Sequence, residues 1–559
     1  MAKNFEEDQR ASADSEESAK ESAATNEISF HAVMRSDSGS SSSSKPEAEN
    51  DPVKGRTENK STLPNFELIA LVSAAEGAEK AKSAQPKNDK SEKDKLLDLA
   101  ASKIADPKAR ELFKADVQEI ENHVRDGRIS AAEASATFAE VERLFNTESK
   151  VGVSAENRAI LARQVLHNAA HPSSADQGPY DNCNVASPEV RLYHRNPASM
   201  AKLVADVALS GKYTATNGQA VDVSRSVQPA DKAHLQVPAG DNKRSYASQI
   251  YHLVSINLAL KDKFPGKNLE YAQQAATPDD NGSRVLDLSQ KPPKEVYEIN
   301  PDGSAVYESA RVKDEKGRPA LDANLQPVMT SPMSNPGLTI QDSFNTMEKI
   351  TGKKEVGSCI AHYEQGGYAT NWIWDKIGLS GHARRDERIP YFSNEAELKN
   401  LLNEAKDAKL FPILLQVNSG SGFLGKQVAE AAGKPLGGEG AGFGGGHVLC
   451  LKDYDPASGK IGVDNTWGDS RDKLGADRVS LKEVITISQT DTRLAAKAQE
   501  FNNNLQAAYK YWCRENKKTP GEHYPSPAVG KIWLQRYQRE LQKALEDSSR
   551  YNDYPAFFY

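Results

Sequence analysis

The sequence predicts an α+β protein, and three observations carry the prediction. A Ser, Glu, Lys and Ala-rich leader with few aromatics gives way near residue 93 to apolar residues at helical spacing. Short apolar runs bounded by turn residues, FPILLQV (411–417), HVLCLKDY (447–454) and KIGVDN (460–465), then read as strands. Amphipathic helical patterns return from about 490 to the end.

In order, residues 1–92, with SDSGSSSSS at 36–44, bury too little apolar surface to offset chain entropy and read as a disordered leader. Residues 93–172 read as a helical bundle. Asp106 and Pro107 start one helix, with Leu112, Phe113, Val117, Ile120 and Val124 on one face up to Gly127. Ser130 with Glu133 has the pattern of a capping box ahead of Phe138, Val141, Leu144 and Phe145, and a third helix starts at Ser154. Asn196-Pro197 opens a helix closed by Gly211, and 245–260 reads as a largely buried one. Between 275 and 340 the pattern is loops and short hairpins, a helix spans 339–350 to Gly352, and Ser393 begins another to about 408. A mixed region over 173–490 and a helical appendage over 491–559 complete the division, with no internal repeat.

Bulk properties exclude several functions. In 559 residues, 71 basic against 78 acidic side chains are mixed along the chain for a net charge of -7, so no broad basic face is expected for nucleic acid. No apolar run is long enough to span a membrane and the first residues lack a secretory core, so the chain is expected to be soluble, cytoplasmic or exported by another route. Four cysteines form neither a disulfide framework nor a paired metal spacing. Free thiols are expected, with no metal and no cofactor.

Chemistry concentrates at few residues. Antiparallel pairing across the DPASG turn sets His447 within a few positions of Asn465. A catalytic histidine needs a polar partner on one ring nitrogen, which Asn465 or the adjacent Asp464 supplies. Cys183, in DQGPYDNCNVA, is the candidate nucleophile, and the side-chain amide of Gln177 suits an oxyanion that forms when sulfur attacks a carbonyl. The sequence alone does not bring Cys183 to the hairpin.

Gln177-Gly178 five residues ahead of Cys183, then Gly446-His447, then Asn465-Thr466-Trp467-Gly468, resembles papain-like cysteine peptidases, with the QG-x4-C form closest to the calpain branch. The resemblance implies a two-lobed fold over roughly 173–490, a helical lobe carrying the cysteine and an antiparallel β lobe carrying histidine and asparagine. It further implies an oxyanion hole from Gln177 and the Cys183 N–H, His447 as base and then acid, Asn465 as orienter, Trp467 as its shield, and a protein or peptide substrate. Two positions depart from the pattern. Asn184 replaces the family's aromatic, and Ser187-Pro188-Glu189 reads as a helix start, which puts Cys183 on a short separate turn. The long stretch between Cys183 and His447 implies insertions that shape specificity.

Other residues take plainer readings. Cys359 in VGSCIAHY is the rival nucleophile, with His362 beside it read as a core or surface residue; Cys450, Cys513, Trp372 and Trp374 read as packing. GSGFLGK (420–426) fits a phosphate loop but is followed by Gln427, not Ser or Thr, and is a chance match. GKPLGGEGAGFGGG (433–446) reads equally as a flap over the cleft or as a connector. The leading expectation is a cysteine peptidase cleaving peptide or isopeptide bonds. The rivals are a transglutaminase-like acyl transferase with Asp464 as orienter, and an inactive papain-like module that binds a partner protein.

Overall fold

The computed structural model describes residues 91–180, 182–241, 243–274, 282–299, 304–309, 332–334, 336, 338–362, 388–419, 422–424, 446–467, 478–489 and 509–519. The leader up to residue 90, the tryptophans at 372 and 374, most of 420–426, the glycine-rich 433–445 and the last predicted helix lie outside them. The chain is a mixed α+β protein of two compact units. One holds the described residues up to 354 together with 466–467, and the other holds those of 355–465 and those beyond 470.

The first unit is mostly helical. α1 (Glu92–Lys103), α2 (Pro107–Arg125), α3 (Ala131–Asn146) and α4 (Ala155–Ala170) are capped by the Ser91, Asp106, Ser130 and Ser154 side chains. Leu96, Phe113, Val117, Ile120, Val141, Leu144, Leu161 and Val165 form their buried seam. Ser130 accepts the Glu133 N–H, but the capping box is only half made. Glu133 Oε1 instead accepts the Ala198 N–H at 3.0 Å, in the first turn of α6 (Pro197–Ser210), whose N-cap Asn196 makes no side-chain cap bond. An orphan amide of another helix thus takes the carboxylate.

α5 (Cys183–Arg195) precedes α6, which ends at Gly211 with φ +72°. A Cβ at Gly211 would lie 2.6 Å from the Cβ of Ser224, so both conformation and space require glycine. A hairpin of β1 (Lys212–Thr214) and β2 (Ala220–Asp222) follows, then α7 (Tyr246–Lys263), buried on every face over its first four turns. β3 (Leu269–Gln273), β4 (Ser283–Asp287) and β5 (Lys294–Glu295) form a small antiparallel sheet, and β6 (Glu298–Ile299) pairs with β7 (Ala305–Val306). α8 (Ile340–Thr351) has a complete capping box from Thr339 and Asp342 and ends at Gly352.

The second unit is built on a six-stranded sheet in the order β13-β12-β11-β10-β8-β9. Its strands are β8 (Cys359–His362), β9 (Tyr391–Phe392), β10 (Ile413–Asn418), β11 (Gly446–Asp455), β12 (Lys460–Asp464) and β13 (Val479–Ser480). The expected antiparallel lobe is corrected to a mixed sheet, because β8 runs parallel to both β10 and β9. α9 (Glu395–Asp407), between β9 and β10, is the crossover that a parallel return requires. α9 and α10 (Leu481–Ser488) pack on the sheet, and residues 509–515 form a further helical stretch with Trp512 and Cys513 buried. Among the described residues no helix is long and apolar enough to cross a membrane.

Candidate functional site

Cys183 is the first residue of α5, a helix of 13 residues, and Pro188 lies inside that helix rather than at its start. The separate turn read from Ser187-Pro188-Glu189 is therefore corrected. A proline in a helix leaves the carbonyl four residues earlier without its amide donor. Here that carbonyl belongs to Asn184, and the Ser343 hydroxyl of α8 donates to it. Asn184 donates from Nδ2 to Leu338 O at 2.5 Å. Ser343 thus repairs the ladder that Pro188 interrupts. Ser343→Ala should cost about 1–3 kcal/mol by leaving a part-buried carbonyl unsatisfied, read as a shift in denaturant midpoint at unchanged slope.

Placed at the start of α5, the Cys183 sulfur sits where first-turn amides present partial positive charge. It is half-buried, whereas Cys359, Cys450 and Cys513 are buried. Cys359 lies on the interior strand β8, paired with Leu414 of β10, and His362 is buried at that strand's end with its ring 5.5 Å from Phe392. The rival pair is core.

A buried polar group that sequence reading missed underlies this helix start. The N-cap residue Asn182 donates from Nδ2 to His252 Nδ1 at 2.8 Å, and Arg244 Nη1 donates to the same nitrogen at 3.1 Å. With Nδ1 accepting twice, the ring proton sits on Nε2 and is donated to Glu189 Oε2 at 3.1 Å. Burial pushes His252 well below and Glu189 up to about 8, so both are neutral near pH 7. Arg244 is wholly buried, lies 3.4 Å over the Tyr180 ring and donates to Gln273 Oε1 at 2.7 Å. No local pattern marks these residues, which come from α5, α7, β3 and the loop before α7.

Gln177 is fixed on three sides within the same unit. Its N–H donates to Thr466 O at 2.8 Å, its Oε1 accepts the Thr466 hydroxyl at 3.2 Å, and Nε2 donates to Tyr180 O at 2.7 Å. The amide is therefore held in one orientation with Nε2 as its donor end, the end an oxyanion needs. Gly178 follows at φ +63°, where a Cβ would meet the Arg244 backbone nitrogen at 3.1 Å. Gly178→Ala should destabilise by about 1–2 kcal/mol from strain alone, and thermal melts would show it.

In the second unit the hairpin forms as expected across residues 455–460, with Cys450 opposite Asp464 and a register shift between Leu451 and Asp453. His447, on β11 opposite Val417 of β10, is 3% exposed. Its Nε2 lies 3.0 Å from Asn465 Oδ1, so Asn465 fixes the Nε2–H tautomer. Burial pushes the ring down to about 4, with the Asn465 hydrogen bond opposing. Asp464 sits in the ladder opposite Cys450, and the amide, not the carboxylate, bonds the imidazole. Trp467, expected to shield that bond, is half-buried in the turn after Asn465. No family model, curated protein or solved structure matches the chain.

Proposed function

We propose that this protein is a cysteine-type hydrolase that cleaves peptide or isopeptide bonds through an acyl-enzyme on Cys183. The observation that carries the proposal is the 3.0 Å hydrogen bond from His447 Nε2 to Asn465 Oδ1. It commits one ring nitrogen to an orienting amide and so supports the division of labour a thiol hydrolase requires, in which the other nitrogen takes the nucleophile's proton.

In the proposed reaction His447 Nδ1 takes the Cys183 proton as sulfur bonds to the substrate carbonyl carbon. Gln177 Nε2 and the Cys183 N–H stabilise the resulting oxyanion. Collapse breaks the carbon–nitrogen bond, and the leaving amine takes the proton from His447. Water, deprotonated by the same nitrogen, then attacks the thioester and releases the acid and the thiol. Half-exposure of Cys183 at a helix start supports the nucleophile's role, as does the repair of the α5 ladder by Ser343. An amide rather than a carboxylate on His447 favours hydrolysis over transglutaminase-like transfer.

Turnover of a mixed peptide and isopeptide library, with and without an added primary amine, tests the proposal. Free acid product in both conditions, lost in Cys183→Ser, is expected. Amide product with the amine present would make the protein an acyl transferase. No turnover, together with equal slow alkylation of all four cysteines, would leave a binding module.

A further inference from the structure

Away from the cysteine, three side chains of the helical bundle converge. Asp116 lies on α2, His167 on the last turn of α4, and His171 is the residue that caps α4. His167 and His171 are four residues apart, the spacing that stacks two side chains on one helix face, and their ring centroids are 4.8 Å apart. His167 Nδ1 is 3.1 Å from Asp116 Oδ1, and His171 Nε2 is 3.2 Å from the same oxygen. One donor atom from each residue falls within a set no wider than 4.8 Å.

We propose that Asp116, His167 and His171 form a zinc-type divalent cation site that clamps α2 to α4. Tetrahedral zinc with bonds of about 2.0–2.1 Å holds its donors roughly 3.3 Å apart, and the two separations from Asp116 already match that edge. Two imidazoles with one carboxylate select a borderline first-row ion over calcium or magnesium, which take sets composed mainly of oxygen. Asp116 and His167 are buried and set by packing, while the His171 side chain is 47% exposed, so it is the arm that adjusts. Its exposure also opens the fourth coordination position to a water. Glu119, one turn along α2, is not part of the set, because its carboxylate is taken by Asn122 Nδ2 at 2.8 Å and by His123 at 3.1 Å. Nothing in this set belongs to the proposed hydrolytic machinery, and the two proposals stand or fall separately.

The test titrates the full, chelator-treated chain with Co2+ and Zn2+, following the visible cobalt spectrum and heat of binding. The expected result is one ion per chain, tetrahedral d–d bands without a thiolate charge-transfer band, and displacement of cobalt by zinc. His171→Gln should weaken binding at least about tenfold, with any loss of its contact to Asp116 measured separately as the melting temperature of the metal-free variant. At equal concentration zinc should raise the melting temperature of the native chain more than that of His171→Gln. Absence of stoichiometric binding, binding indifferent to His171→Gln, or a spectrum with thiolate charge transfer would each overturn the site.

Discussion

His447→Ala should lower the rate of Cys183 alkylation, and of any turnover, by about 10²–10⁴-fold, the range that loss of a positioned general base produces. A native chain treated with a limiting electrophile should label at Cys183 well ahead of the other three cysteines, because those are buried and Cys183 is half-exposed. Accessibility alone would survive the loss of an imidazole; activation would not. The pH profile separates the two further. Burial pushes His447 down to about 4, so the ring is neutral and able to accept a proton from that pH upward. The acidic limb of kcat/KM should therefore fall near pH 4, below the ordinary histidine range, and should be absent from the residual activity of His447→Ala. Asn465→Ala should give an intermediate loss, since the ring stays but its tautomer is no longer imposed. Labelling of Cys183 at the native rate in His447→Ala would show that the thiol and the imidazole do not act together.

Local rules made the hairpin end of the site readable. The DPASG turn fixes pairing, and pairing fixes which residues stand near His447, so Asn465 and the adjacent Asp464 could both be named from spacing alone. The choice between Asn465 and Asp464 was not available at that level, because it depends on which side chain reaches the ring. Local rules also misread Pro188, since the group that makes it tolerable in α5 is a hydroxyl 159 residues from Asn184. Glu133 went the same way: its spacing from Ser130 is that of a capping box, but an uncapped amide on another helix is the better partner. β8 went unnamed as a strand because Cys359-Ile360-Ala361-His362 is short and uniformly buried, with no alternation to mark it, and its pairing partners are set by tertiary packing. The histidine pair at 167 and 171 went unremarked in the sequence, because the carboxylate that gives it meaning sits on a different helix.

The least legible feature, the buried group under Cys183, carries the second large expectation, in stability. Glu189 is wholly buried, and burial raises it from 4.5 to about 8. Between those values the folded protein holds a proton that the unfolded chain has released, so stability is full below about pH 4.5 and is lost as pH rises toward 8. The loss amounts to about 5 kcal/mol when integrated over that window. His194 and His234 act in the opposite sense: burial depresses them to about 3 and about 4, the unfolded chain takes up protons first, and stability is lost as pH falls below the ordinary histidine value. The first unit should accordingly be most stable near neutrality on its acid side. Glu189→Gln removes only the alkaline limb, because a glutamine oxygen still accepts the His252 Nε2–H while having no charge to bury. Denaturant unfolding of the chelator-treated chain should show Glu189→Gln close to wild type at about pH 5 and more stable by several kcal/mol at about pH 8.5. Parallel stability curves for the two proteins would mean that Glu189 ionises without penalty and that the neutral Glu189–His252 pair is not what supports the start of α5.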